Sequence, residues 1–204
     1  MTSNNRHNFF SILTQVAAAY RGKKKQLPTT GEVVNALLAA ETITKQEQLN
    51  YNFESLVGKW RLCFATGTKK ARERGGIILG KGWYVPKLVT IYISFSTTPE
   101  EDLNRGEIGN QVQLGSILLK LTGPAKYLGK KNILAFDFTQ MFLSLFGRII
   151  YQQQIRSSQG QPEEFYNQPI AKLPFFSFFL VNADLIAARG RGGGLALWIR
   201  EDIS

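Results

Sequence analysis

Few side chains in this sequence can carry out chemistry, and those few stand alone. The chain of 204 residues has one cysteine, Cys63, and one histidine, His7. A single cysteine excludes a disulfide framework and a thiolate metal cage. A lone histidine near the terminus excludes histidine metal clusters and a Ser-His-Asp triad. Asp137 and Asp184 stand singly within apolar runs. We therefore expect a protein that binds rather than an enzyme, with no catalytic residues and no metal.

A phosphate-binding loop is imitated but not completed. Gly75 is followed, after four residues, by Gly80 and Lys81. The next residue is Gly82, where the motif needs a serine or threonine for magnesium. The segment that follows has the patterning of a strand, so no helix N-terminus would face a phosphate. The glycines predict a hairpin tip rather than a nucleotide site.

Positive charge is concentrated in two segments of a chain whose net charge is +10. Residues 1–25 carry five basic and no acidic side chains, and residues 59–87 carry eight basic side chains against Glu73 alone. A field of this sign attracts an anionic membrane surface or a nucleic acid. Composition alone does not separate these two partners.

The elements that must position any site change type near residue 55. Two helices are expected first, one capped by Asn8 and one by Thr29, which has a capping-box spacing with Glu32. Beyond them, apolar residues alternate as in β-strands. The alternating sets are Trp60, Leu62 and Phe64; Val89, Ile91, Ile93 and Phe95; Leu134, Phe136 and Phe138; Ile149, Tyr151 and Ile155; and Leu195, Leu197 and Ile199.

These patterns predict a mainly β protein in two parts. Residues 1–54 form a helical region that packs on or caps the rest, and residues 55–204 form an antiparallel barrel. A closed barrel removes exposed strand edges, and about eight strands can hold one small ligand. The apolar runs are shorter than the roughly 20 residues of a membrane helix. The start of the chain lacks a signal-peptide pattern, so we expect a soluble or peripheral protein.

Three stretches follow one another in an order typical of one family. Leu27-Pro28-Thr29 leads to the second helix, and Gly58–Gly67 is a Trp-x-Leu-x-aromatic-x-Thr strand whose Trp60 can plug the closed end of a small barrel. Arg189-Gly190 then precedes the closing apolar strand Gly194–Ile199. On these residues the chain resembles the plastid-lipid-associated proteins, or plastid fibrillins, of chloroplasts and cyanobacteria. The absence of a transit peptide indicates a cyanobacterial-type member.

The resemblance implies a lipocalin-like barrel without enzymatic activity. It would be peripheral to the cytoplasmic side of thylakoid membranes or to lipid bodies, with a photosynthetic protein as a further partner. Its ligand would be a prenylquinone, a carotenoid or another lipid. The residues expected to line the cavity are Trp60, Leu62, Phe64, Ile91, Ile93, Phe136, Phe138 and Leu197. Those expected to face anionic lipid are Lys23, Lys24, Lys25, Lys69, Lys70, Arg72 and Arg74.

Two alternatives stay open at this stage. The first is a bilin chaperone or chromophore lyase of the same architecture, in which arginines pair with propionates. Arg61 or Arg148 on an inward face would favour it. The second is a basic nucleic-acid-binding protein, favoured by the two basic segments alone. The apolar richness of every strand argues against nucleic acid as the partner.

Overall fold

The protein is a β-barrel with a helical pair on its outer surface. The computed structural model describes residues 2–23, 26–70, 77–97, 104–155 and 162–201. The helices are α1 (Thr2–Tyr20), α2 (Thr30–Gln46) and the short α3 (Pro162–Asn167). The strands are β1 (Gly58–Lys70), β2 (Ile77–Tyr84), β3 (Val89–Thr97), β4 (Arg105–Leu114), β5 (Ile117–Leu128), β6 (Ile133–Phe136), β7 (Gln140–Leu145), β8 (Arg148–Gln154), β9 (Phe175–Val181), β10 (Leu185–Gly190) and β11 (Leu195–Arg200).

Eight of these strands close into a ring. The order is β1-β3-β4-β5-β6-β9-β10-β11, every neighbouring pair is antiparallel, and β11 pairs back with β1. The ring is therefore a meander with two insertions. β2 pairs with the second half of β1, and the β7–β8 hairpin extends the sheet beyond β5. The prediction of a mainly β, lipocalin-like barrel preceded by a helical pair is confirmed.

The local sequence explains where each of the two long helices begins. Thr29 caps α2, because its hydroxyl accepts from the Glu32 amide and the Glu32 carboxylate accepts from the Thr29 amide at 2.7 Å. The predicted capping box is confirmed. α1 begins at Thr2 rather than at Asn8, since no glycine or proline stops the helix from extending through the intervening residues.

Two β-bulges turn extra apolar side chains toward the helices. On β1 the register with β11 shifts between Leu62 and Phe64, and on β9 the register with β10 shifts at Phe179. A bulge places two successive residues on one face of a strand. As a result Cys63 and Phe64, and likewise Phe179 and its neighbour Leu180, pack against α1 and α2.

Two of the predicted cavity residues lie outside the barrel interior. One is displaced by the bulge in β1, and the other lies on the outward face of β11. Phe64 was expected inside the barrel but lies under the helices, because the extra residue at Cys63 reverses the alternation after Leu62. Leu197 was also expected inside. It packs in the same helix-facing cluster, and its neighbour Trp198 occupies the interior instead.

A buried ion pair joins α2 to the barrel. The Arg189 guanidinium on β10 donates to both carboxylate oxygens of Glu41, with Nε at 2.9 Å from Oε1, and Lys45 donates to the same carboxylate at 2.9 Å. The Glu41 side chain is only 10% exposed. Burial opposes ionisation, but the hydrogen bonds from Arg189 and Lys45 outweigh it and hold the pKa of Glu41 below its ordinary value of 4.5.

This pair makes stability depend on pH. A carboxyl group whose pKa is lowered by folding stabilises the protein above its unfolded pKa, and that contribution is lost as the pH falls through the folded value. We expect the Tm of the wild type to fall more steeply between about pH 5 and pH 3 than that of Glu41→Gln. At neutral pH we expect Glu41→Gln to lower the free energy of unfolding by about 2 kcal/mol. The loss stays below that of a fully buried ion pair because Arg189 keeps partial solvent contact.

Thermal unfolding followed by circular dichroism across that pH range tests the prediction. Glu164→Gln, at an exposed position of α3, is the matched control and should keep the wild-type slope. Parallel slopes for the wild type and Glu41→Gln would contradict this role for the pair.

Candidate functional site

One end of the barrel is closed by the segment that enters it. The 3-10 helix Phe53–Leu56 lies across this end, and Phe53 stacks on Tyr127 with ring centroids 5.8 Å apart. Trp60 is fully buried, and its indole Nε1 donates to the Leu56 carbonyl at 2.7 Å. The Arg200 guanidinium lies 4.1 Å from the Trp60 ring centroid and donates to a neighbouring carbonyl. The expectation that Trp60 plugs a closed end is confirmed.

Aromatic rings fill the middle of the barrel. Phe178 meets Phe95 edge-on at 6.0 Å across the interior. Phe176 lies at the centre of the layer, 5.1 Å from Phe136 and 5.6 Å from Trp198 between centroids. Edge-on and offset contacts of this kind are the preferred ring geometries. The interior of the barrel is therefore apolar and packed with aromatic rings.

The opposite end of the barrel is covered less completely. Most inner-face side chains near the closed end are almost fully buried, although Val181 is partly exposed there. At the opposite end Leu62, Phe138, Phe176 and Ala196 pack on the same interior cluster and stay partly exposed. Ile91 is also partly exposed and shares the face of Ile93, two residues along β3. We call these five residues the mouth.

The predicted cavity residues divide into three groups. Trp60, Ile93 and Phe136 are buried in the interior, and Leu62, Ile91 and Phe138 belong to the mouth. Phe64 and Leu197 lie outside, as described above. Ligand contact by any of them stays a prediction.

Sequence reasoning missed the rings at the centre of the barrel. Phe176 and Phe178 are contributed by β9, and Trp198 is contributed by β11. The run of five residues from Phe175 to Phe179 is apolar on both faces apart from one serine, so its alternation is hidden. Trp198 lies on the opposite face of β11 from Leu197, and alternation alone does not say which of the two faces is inside.

The predicted basic residues are only partly within the described structure. Lys23 is exposed just after α1. Lys69 and Lys70 form the last backbone pairs of β1 with β2, and their side chains lie outside the described part. Lys24, Lys25, Arg72 and Arg74 also lie outside the described residues. Their role at a membrane stays a prediction.

Neither arginine that would favour a bilin site faces inward. Arg61 lies between inward-facing Trp60 and Leu62 and points the other way, 5.6 Å from the ring centroid of Tyr20 on α1. Arg148 is exposed on β8, outside the ring of eight strands. The inward arginine that we do find, Arg200, is engaged at the closed end.

An apolar cavity lies outside the barrel. It has a volume of about 210 Å³ and lies between α1, α2 and the outer face of β9. Its polar groups are satisfied locally, since the Thr44 hydroxyl donates to the Phe179 carbonyl at 2.6 Å. It is lined by Phe9, Phe10, Ala40, Ile43, Thr44, Leu49, Tyr51, Phe179 and Leu180. Residue patterns do not predict this cavity, because its walls come from α1, α2, β9 and the segment that follows α2.

In the described part of the chain, reactive groups are gathered neither inside the barrel nor at the cavity under the helices. Cys63 is fully buried beneath the helices, and burial raises the pKa of its thiol. Within the described ranges, no three histidine, cysteine or acidic side chains come together as a metal site would require. The described helices also include none with the length and apolarity to cross a bilayer.

Comparisons with known proteins do not name a family. No family model matches the sequence, and no curated protein matches it. Among solved structures, a redesigned β-barrel matches 73% of this chain and 93% of its own length, with 8% sequence identity and a TM-score of 0.33.

The closed end generates a stability prediction. Trp60→Phe removes the indole donor and leaves the buried Leu56 carbonyl without its partner, in addition to leaving a small cavity. We expect a loss of about 2–4 kcal/mol in the free energy of unfolding. Urea denaturation measures it.

Trp83→Phe is the matched control, because Trp83 is 49% exposed on β2. It should change stability by no more than about 0.5 kcal/mol. Equal effects for the two tryptophans would show that the closed end is not sealed by Trp60.

Proposed function

We propose that this protein is a non-enzymatic binder or carrier of an elongated hydrophobic molecule, which enters the barrel through the mouth. One observation supports this above all. The inner face is apolar from the closed end at Trp60, through the buried rings of Phe178 and Trp198, to the partly exposed mouth. An apolar interior that is sealed at one end and partly exposed at the other would admit a chain-like ligand end-on.

The chemistry of the interior favours a ligand recognised by shape and length. Each fully buried methylene contributes about 0.8 kcal/mol, so affinity grows with the length of chain that the barrel accepts. The rings of Phe136, Phe138 and Trp198 suit a flat or conjugated group. A prenylquinone, a carotenoid or another lipid fits this description, and the resemblance to plastid-lipid-associated proteins supports the same classes.

The cellular setting belongs to the same proposal. A protein that carries such molecules must meet the membrane in which they dissolve. The net charge of +10 supports a peripheral position on an anionic surface. The family resemblance suggests the cytoplasmic side of the thylakoid, with a photosynthetic protein as a further partner.

The first experiment identifies what the protein holds. Protein purified gently from a photosynthetic host is extracted with organic solvent, and the extract is analysed by mass spectrometry and absorption. A stoichiometric quinone or carotenoid is the expected result. A stoichiometric bilin would overturn the proposal in favour of a chromophore carrier.

A designed obstruction tests the route of entry. Ala196 lies on the inner face at the mouth, between Ala65 and Ala188 on the neighbouring strands. Ala196→Phe should narrow the mouth while the buried closed end keeps the fold. We expect the affinity for a decyl-substituted benzoquinone to fall by about tenfold or more. The reason is that the ligand loses at least as much apolar contact as one buried side chain makes.

Quenching of the barrel tryptophans by the quinone reports the binding, in a Trp83→Phe background that removes the exposed tryptophan. Ala171→Phe, at an exposed position outside the barrel, is the matched control and should bind as the parent does. Undiminished affinity in Ala196→Phe would place the ligand elsewhere. No quenching in any variant would refute the binding proposal itself.

A further inference from the structure

Three turns lie side by side at the open end of the sheet. The last or first residues of five strands pair in one row, with Val89 opposite Leu114, Leu114 opposite Ile117, Ile117 opposite Leu145, and Leu145 opposite Arg148. Neighbouring strands are about 4.8 Å apart, so the row is roughly 20 Å long. The Phe146 amide donates to the Ser116 carbonyl at 3.0 Å and ties two of the turns together.

Large apolar side chains project from all three turns. Leu88, in the β2–β3 turn, is 84% exposed, and Phe146, in the β7–β8 turn, is 78% exposed. Leu114 and Ile117 flank the β4–β5 turn and are about half exposed, and Ile149 on β8 is 60% exposed. We call these five side chains the rim. A cluster of exposed apolar residues of this extent marks an interaction surface.

The charges around the rim have one sign. Residues 81–97, 111–122 and 139–155, which supply the rim and its surroundings, contain no acidic residue. Lys87, Lys120 and Arg148 are all exposed there. The acidic residues Glu107 and Glu201 instead lie toward the closed end. A partner that covers the rim must therefore be apolar with an anionic border.

Phe146 occupies a backbone position that does not suit it. Its φ is +49°, and Gly147 follows with a φ of +77°. Two successive positive φ values define a hairpin turn that favours Asn-Gly, and a bulky side chain at the first position is strained. The strain and the exposure both disfavour phenylalanine in the free protein, and contact of the ring with a partner would offset the cost of its exposure.

We propose that the rim docks on the surface of an anionic phospholipid bilayer, with Leu88, Leu114, Ile117, Phe146 and Ile149 in the interfacial layer and the adjacent lysines and arginine among the headgroups. This inference rests on the proposed function and deepens it, because docking turns the mouth toward the bilayer. Val89, Leu114, Ile117 and Leu145 share the face of Ile91 by strand alternation. An apolar path then leads from the bilayer to the barrel interior.

The geometry of the rim favours a membrane over a second copy of the chain. Its side chains stand on turn tips along a narrow row, which suits shallow insertion at a lipid interface. Turn residues reach only the hydrated headgroup region, so no open sheet edge has to enter hydrocarbon. Apolar anchors beside basic residues are the usual composition of such surfaces. Pairing of two copies along exposed β8 is the alternative outcome to be tested.

The experiment compares Phe146→Asn, and the triple variant that adds Leu88→Ser and Ile149→Thr, with the wild type. Asn-Gly is the preferred pair for this turn, so Phe146→Asn should fold with an unchanged or higher Tm. Flotation with phosphatidylcholine–phosphatidylglycerol vesicles measures binding. We expect Phe146→Asn to weaken it about tenfold and the triple variant to abolish it. Leu38→Ser on α2, which also removes an exposed leucine, should bind as the wild type does.

The outcomes separate this inference from the proposed function. All variants should retain quinone binding in solution, because the rim lies outside the barrel. Vesicle binding that persists in the triple variant would overturn the rim as the docking surface and leave the binding proposal standing. Equal flotation with pure phosphatidylcholine would overturn the anionic requirement. A dimer in light scattering that the triple variant alone loses, without any vesicle binding by the wild type, would assign the rim to self-association.

Discussion

Four neighbouring strands of this barrel must be buried on both faces, and much of the structure follows from that constraint. β1, β9, β10 and β11 present apolar side chains to the interior and carry α1 and α2 on their outer face. β10 shows the result most simply, since Leu185–Ala188 are buried without interruption. The bulges at Cys63 and Phe179 belong to the same solution, because each adds an apolar side chain to the helix-facing surface. A bulge also bends its strand, which helps the sheet to close.

The helices cover only one side of the barrel, so the two sides of the barrel are packed differently. On the covered side, the Glu41–Arg189 pair and the Tyr20 hydroxyl, 2.8 Å from the Cys63 carbonyl, fix the helices to the strands. On the other side, β4 and β5 form a hairpin long enough to pass the end of the ring and carry β7 and β8 with it. Stability is concentrated where the layers are doubled, and the single layer is left to form the open end.

The sequence predicts the parts of this fold that depend on local chemistry. The capping box at Thr29 and Glu32, the plug at Trp60 and the alternation of β3 all follow from residue type and spacing. Alternation fails where a single inserted residue reverses it, as at Phe64, and it cannot say which face is inside, as at Leu197. The mouth and the rim depend on register between strands that are distant in sequence. A row such as Val89, Leu114, Ile117 and Leu145 is therefore visible only once the strands are paired.

The two ends of the barrel make opposite use of apolar side chains. At the closed end, Trp60 is held by a hydrogen bond and by the Arg200 guanidinium, so its surface is removed from water in the free protein. At the open end, Phe146 is left in water on a strained turn, and selection for stability alone would favour asparagine there. Unfavourable residues retained at one edge of an otherwise well-packed fold are typical of functional sites. Because that edge lies beside the mouth, the exposed residues there are those best placed to bring the barrel to the ligand that we propose.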